Sequence, residues 1–470
     1  MQLGPGKSTA KRSCLRCRSQ KRRCDRAFPK CSLCMRLQQD CKYVGSTPPG
    51  STRDLSEPKP GLAAGLAPQD VKADIENNLS GFSPAEIAAN YLSQLHPWFP
   101  IISESKISNG ISTTWKDATV ERTLLYFTML LLISEPEGEQ DNEILSPKLQ
   151  LAYLFCKRWT VLLEAAGSNS LDLIRSRLVL TLFEVGHGLY PAAHISFGAV
   201  LGAVEAFNDH SEYNASITSS SDEGIEEEYV VTSALAIIDR FMTAEKKQGP
   251  SLTRGKALFC RLSPVYPHST IARSSSNQAF SRPFEASSLM EKVQIALNEP
   301  TRRQSFNIEE MAVIVQTLKS FEAVLLQEIP EKGALYSGAL VLCEIGLVHA
   351  YDAGTKVDPS DVDTTHCRAG ARNALDRLLE AKLTMAQPYL EGDEDIDFKI
   401  LPPFLTYLVY KCAATVTERL RVGDESLFNF KVLKCLRDFL ALLSQRWLAG
   451  RRYLRLLDED TTPRMMKSIQ

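Results

Sequence analysis

Six cysteines fall within the first forty-one residues of this 470-residue chain: Cys14, Cys17, Cys24, Cys31, Cys34 and Cys41. They are spaced C-x2-C-x6-C-x6-C-x2-C-x6-C, and the second three repeat the first three at an offset of seventeen residues. Thiols at short, regular intervals are suited to structural zinc, which takes sulfur ligands in a closed tetrahedron. Two independent tetrahedra need eight ligands, and the segment offers six thiols. The first histidine is His96, so imidazole does not make up the number locally. The economical arrangement is two zinc ions sharing two bridging thiolates.

The residues between the cysteines are basic. Residues 1–50 hold twelve Lys or Arg against two Asp or Glu, a balance of +10, whereas the whole chain carries −2. A basic head on an acidic body suits binding to a polyanion, with phosphate neutralisation and counterion release driving affinity. The x6 stretches allow about one and a half helical turns each. A continuous helix there sets Arg18, Lys21 and Arg22 on one face at i, i+3 and i+4, where a major groove would accept them. Disulfides are the competing use of the cysteines, but no secretory signal opens the chain. A nuclear import signal or a solvated face would explain the basic run but not the cysteine spacing. Metal storage would not require the interleaved arginines. The other cysteines, Cys156, Cys260, Cys343, Cys367, Cys412 and Cys435, are scattered and read as reduced thiols, mostly buried.

The run Cys17-Arg18-Ser19-Gln20-Lys21-Arg22-Arg23-Cys24-Asp25, with Pro29 before Cys31 and Tyr43 after Cys41, resembles the fungal zinc binuclear cluster (Zn2Cys6) transcription factors. The resemblance implies that Cys14 and Cys31 are the bridging thiolates. It implies that Lys21 reaches bases of CGG-type half-sites, and the basic run itself adds Arg18, Arg22 and Arg23 as expected DNA contacts. Gln20 stands where the family commonly has Lys or Arg, and Gln38 where it has Gly or Asn. A left-handed turn at Gln38 therefore carries strain.

Residues 44–70 contain five Pro, four Gly and five Ser or Thr, the composition of a linker. Val71, Ile75 and Leu79 form one short apolar stripe, too short for a coiled coil and suited to a helix packing on the body. Ser83-Pro84-Ala85-Glu86 is a helix start with an N-cap, a first-turn proline and an N3 glutamate. His96-Pro97-Trp98-Phe99-Pro100-Ile101 resembles the H-P-x-F-P-I segment of the fungal transcription-factor regulatory domain, and Asp239-Arg240 with Gly249-Pro250 resembles a second passage of it. Helical periodicity runs through 149–166, 171–185, 192–207, 229–246, 308–326, 335–351, 368–385, 403–421 and 428–447. The apolar run 124–133 is too short to cross a bilayer.

The expected fold is a small Zn2Cys6 binuclear zinc cluster module followed by a mostly all-α helical array. The expected parts are 10–44 for the DNA-binding module, 45–80 for a flexible linker, 81–455 for the regulatory body and 456–470 for a tail. Loops are expected near 208–228, which carries Glu226-Glu227-Glu228, and near 267–305. Ser220 and Ser305 lie in kinase-like contexts there. Glu391-Gly392-Asp393-Glu394-Asp395 lacks the spacing of an EF-hand and reads as a solvated loop. No G-x-S-x-G elbow, H-E-x-x-H, Walker loop or Rossmann fingerprint is present, so no catalytic residue is assigned. The function expected is regulation of RNA polymerase II genes in the nucleus, by a protein holding two zinc ions per chain and working with the transcription machinery or co-regulators. The resemblance points to genes of one metabolic pathway, with a secondary-metabolite cluster as one case. The alternatives are a zinc-dependent protein-interaction module and a metabolite sensor whose cluster does not read sequence.

Overall fold

The computed structural model describes residues 12–27, 30–39, 41–43, 68–102, 106–107, 114–136, 145–215, 222–246, 249–256, 259, 275–298, 307–330 and 333–461. Pro29, Ser220, Ser305 and most of the expected linker lie outside the described residues. The chain divides into two compact units, Met1–Gly65 and Leu66–Gln470. In the first, two short helices stand at the seventeen-residue offset, α1 (Leu15–Ser19) and α2 (Ser32–Arg36).

The second unit is built from helices, with no strand among the described residues. In order they are α3 (Pro68–Asn78), α4 (Pro84–Asn90, prolonged by a π-helical turn at Tyr91–Leu95), α5 (Val120–Ile133), α6 (Pro147–Ala165), α7 (Leu171–Gly186), α8 (Ala192–Ala215) and α9 (Asp222–Lys246). After these come α10 (Ser275–Asn298), α11 (Ile308–Glu328), α12 (Gly338–Thr355), α13 (Val362–Glu391), α14 (Phe404–Arg421), α15 (Leu427–Leu443) and α16 (Ala449–Asp460). Helix α12 is the central element. It is apolar nearly all round and packs against α10, α11, α13 and α14. A helix without a polar face is stable only when neighbours cover every side.

Helix starts follow the sequence closely. Ser83 and Glu86 form a reciprocal capping box ahead of α4, with Pro84 in its first turn. Trp98 and Phe99 are buried, and the Trp98 indole N–H donates to the Gln94 carbonyl. Asp239 is buried and accepts the Thr253 N–H at 2.7 Å, which fastens the loop after α9 to that helix. The neighbouring Arg240 donates to Glu291, Ser287 and Ser288 of α10. The resemblance noted at Asp239-Arg240 is thus a packing clamp.

Several boundaries differ from the sequence expectation. The linker does not extend to residue 80, because α3 packs on α5 and α6 with Val71, Ile75 and Leu79 all buried. Asp74 of α3 accepts from the Trp159 indole at 2.8 Å and lies 3.3 Å from Arg158. The body does not stop at 455, because α16 buries Tyr453 and Leu457. The expected loop at 267–305 contains α10, whose Phe284, Ala286, Met290 and Val293 are buried. The expected loop at 208–228 is largely the end of α8 and the start of α9.

Within that acidic stretch, Glu227 is 2 % exposed and ion-paired with the equally buried Arg175. Arg175 also reaches Asp172 and the Ile101 carbonyl, so it joins α7, α9 and the segment after α4. Glu227→Ala leaves a guanidinium short of its buried counter-charge. The expected loss is about 3 kcal/mol, read as a lower unfolding midpoint in denaturant, whereas exposed carboxylates on the same chain should tolerate substitution.

Candidate metal centre and nucleic-acid interface

The two halves of the amino-terminal module repeat each other bond for bond. Cys14 caps α1, its sulfur accepting the Cys17 N–H at 3.4 Å; Cys31 caps α2, accepting the Cys34 N–H at 3.4 Å. Each helix lasts five residues and closes with the same pair of bonds. In the first half the Lys21 N–H donates to the Arg18 carbonyl and the Arg22 N–H to that of Cys17; in the second, Gln38 donates to Met35 and Gln39 to Cys34. This is a Schellman closure, which places one residue in the left-handed region. Those residues are Lys21 at φ 51° and Gln38 at φ 48°.

This closure corrects one expectation. No continuous helix carries Arg18, Lys21 and Arg22, because α1 ends at Ser19 and the chain reverses hand at Lys21. The physical reason is the cysteine geometry: the backbone must turn back to deliver Cys24 beside Cys14 and Cys31. Arg18, Lys21, Arg22 and Arg23 are all exposed, and none has an ion-pair partner among the described residues. Turn and helix end together carry these four exposed cations.

The thiols converge. Cys14, Cys17, Cys24 and Cys31 offer sulfurs within 4.8 Å of one another, and so do Cys14, Cys31, Cys34 and Cys41. Cys14 and Cys31 belong to both groups, and their sulfurs are 3.8 Å apart. The Cys14–Cys34 and Cys17–Cys31 separations are both 3.7 Å. A zinc tetrahedron with Zn–S bonds of about 2.3 Å has edges of about 3.8 Å, which these three separations match.

Electrostatics favour a cation here. Burial pushes the Cys14 thiol up to about 12, and it also raises Cys31 and Cys17. Burial acts upward on Cys24 too, but the N–H groups of Cys14 and Arg26 outweigh it and bring that thiol down to about 7. Cys41 is lowered in the same manner, burial opposing and the Cys31 N–H prevailing, at 3.3 Å from its sulfur. A bound cation favours the thiolate form of the desolvated cysteines, and zinc would supply that charge. Asp25 accepts the Ser32 N–H at 3.1 Å at the start of α2, a tie that sequence reading did not single out. Its signal was position: an acid directly after Cys24 in a basic run. The Tyr43 hydroxyl donates to the Ala27 carbonyl at 3.0 Å and fastens the end of the module to its middle.

Comparison with known proteins agrees with this geometry. Residues 12–49 match the model of the fungal Zn(2)-Cys(6) binuclear cluster domain. The chain is similar to Transcription factor BOA15 of Botryotinia fuckeliana (strain B05.10), at 30% identity over 127 residues, 27% of this chain and 68% of that protein. The chain belongs to the fungal Zn2Cys6 binuclear cluster transcription factors. No solved structure matches it. As a Zn2Cys6 factor it is a zinc-dependent DNA-binding regulator of transcription rather than an enzyme, with two zinc ions as its cofactors. Its partners are DNA and the transcription machinery, and this class of protein is consistent with a nuclear location.

The left-handed Gln38 yields a test of the module alone. A non-glycine residue there costs about 1–2 kcal/mol. Gln38→Gly should stabilise the zinc-loaded module by about 1 kcal/mol, seen as slower zinc loss to a chelator, with its charge unchanged.

Proposed function

We propose that Cys14, Cys17, Cys24 and Cys31 bind one zinc ion, that Cys14, Cys31, Cys34 and Cys41 bind the other, and that the folded module presents Arg18, Lys21, Arg22 and Arg23 to double-stranded DNA. The observation that carries this reading is the double membership of Cys14 and Cys31 in the two four-thiol groups. When bound, the zinc ions supply the positive charge that holds the six sulfurs together. The rest of the work falls to the chain's own residues.

Lys21 stands at the turn that ends α1, with its backbone in the left-handed region. A single flexible ammonium there suits donation to guanine O6 and N7 in the major groove, and CGG-type half-sites are the proposed targets. Arg18, Arg22 and Arg23 flank it and suit phosphate oxygens, which position the module without reading sequence. The helical body, proposed from the sequence as 81–455 and described in parts between residues 68 and 461, is the regulatory part. The protein would work in the nucleus on RNA polymerase II genes of one metabolic pathway, a secondary-metabolite gene cluster being the specific case proposed.

Burial of Val71, Ile75 and Leu79 in the body bears on assembly, because it removes the one apolar stripe near the module from any coiled coil. Two modules would then meet on DNA or through the body.

Binding-site selection from random DNA tests the reading. The intact protein should enrich CGG-containing sequences. Lys21→Ala should cost about 1–3 kcal/mol of discrimination at the contacted base. Arg18→Ala and Arg23→Ala should instead weaken all sequences evenly and flatten the salt slope by about 0.9 each. An unchanged selected motif in the Lys21→Ala protein would move base readout to another residue.

A further inference from the structure

The helical body carries an open polar cleft of about 370 Å³, walled by α10, α12, α14 and the end of α16. Small-molecule sites span about 300–1,000 Å³. Its floor is built from side chains that a core rarely buries: Gln294, His349 and Lys411 are each 5 % exposed and Asp352 is 6 %. Lys411 Nζ lies 2.5 Å from an Asp352 carboxylate oxygen. The His349 ring is held on both nitrogens. The Tyr407 hydroxyl donates to the Ala244 carbonyl at 2.9 Å, so its oxygen accepts the His349 Nε2–H at 3.0 Å. His349 Nδ1 then accepts from the Gln294 amide at 3.1 Å. These groups are neatly satisfied, yet a buried ion pair generally adds no more stability than apolar residues of the same volume. The Asp352–Lys411 pair ties α12 to α14 and leaves charged and polar groups lining the base of the cleft.

The rim has a different character. Lys356, directly after α12, bridges to Glu418 of α14 at 2.8 Å, and Arg421 of α14 lies 3.5 Å from Asp460 of α16. All four side chains are about half exposed. Exposed pairs of this kind are weak and exchange partners easily. Lys356 also lies 3.2 Å from Asp352, which suspends its ammonium between floor and rim.

We infer that this cleft binds a small zwitterion of the α-amino-acid class, which opens the Lys356–Glu418 bridge and places its carboxylate on Lys356 and its ammonium on Glu418. The balance of charge decides the class. Lys356, Lys411 and Arg421 face Asp352, Glu418 and Asp460, so the lining is neutral in sum and carries both signs. An anion alone would add uncompensated charge, and an apolar ligand would desolvate the half-exposed rim charges. A zwitterion exchanges one ion pair for two. By spanning α12 and α14 it would fasten the central helix of the body to its neighbour, which is a route from a metabolite to the regulatory part. The inference stands on the body alone and does not depend on what the zinc module reads.

The test uses the full-length zinc-loaded protein and the twenty common L-amino acids as probes, scored by thermal unfolding and then by calorimetry. At least one should raise the midpoint by about 3 °C at a hundredfold excess over its Kd. The N-acetyl and carboxamide forms of the responding amino acid, each lacking one charge, should give no shift. Lys356→Gln and Glu418→Gln alter half-exposed groups and should unfold within about 2 °C of the native protein without ligand while binding at least tenfold more weakly. The inference is overturned if no amino acid binds, if the capped forms bind equally, if inorganic phosphate or a dicarboxylate shifts the midpoint instead, or if both variants retain native affinity. Binding-site selection on the same protein reports the zinc module separately, so failure of one reading is distinguishable from failure of the other.

Discussion

Six thiolates crowded around two centres repel one another unless cations lie between them, and the amino-terminal module depends on that constraint. The segment is too short to bury a core of its own. Among the described residues its buried ones are four of the cysteines themselves, with Cys24, Cys41, Leu33 and Tyr43 packed around them. Metal–sulfur attraction therefore does the work that apolar burial does elsewhere. The seventeen-residue repeat follows from it. Each half must cap a short helix with a cysteine sulfur, reverse hand and return a third cysteine, and the two halves meet at Cys14 and Cys31. The basic residues occupy positions this frame leaves exposed. Lys21 in the first half corresponds to Gln38 in the second, and Arg18 to Met35, so one fold twice repeated presents one charged face and one largely uncharged.

The body obeys ordinary packing rules. Its central helix α12 is covered on all sides, and buried charges appear where helices must be tied at a defined register. Arg175 joins three elements through Asp172, Glu227 and the Ile101 carbonyl. Arg446, buried against Trp447, donates to the Leu132 carbonyl at 2.6 Å and so satisfies the end of α5. Such contacts connect residues far apart in the chain, which is why they cannot be read locally.

What the sequence disclosed was chemistry that is local. Cysteine spacing, the capping box at Ser83 and Glu86, and the helical periods all lie within a few residues. The left-handed Gln38 was foreseeable because another residue type is usual at that position. The hand reversal at Lys21 was not, since a stretch of six residues between cysteines is equally compatible with more helix. Glu227 looked solvated because Arg175, its partner, lies fifty-two positions away. Helix α10 was missed because serines and a proline dominate its start, while Met290 and Val293, which fix it in the core, arrive late. The stripe at Val71, Ile75 and Leu79 pointed to a packed helix, and composition alone then drew the linker boundary too far.

Zinc K-edge X-ray absorption on the intact protein tests the shared-thiolate arrangement most directly. The bridged cluster predicts a first shell of four sulfurs per zinc at about 2.3 Å, with a second zinc as a resolved outer scatterer. A shell containing nitrogen or oxygen, or four sulfurs with no zinc–zinc vector, would contradict it.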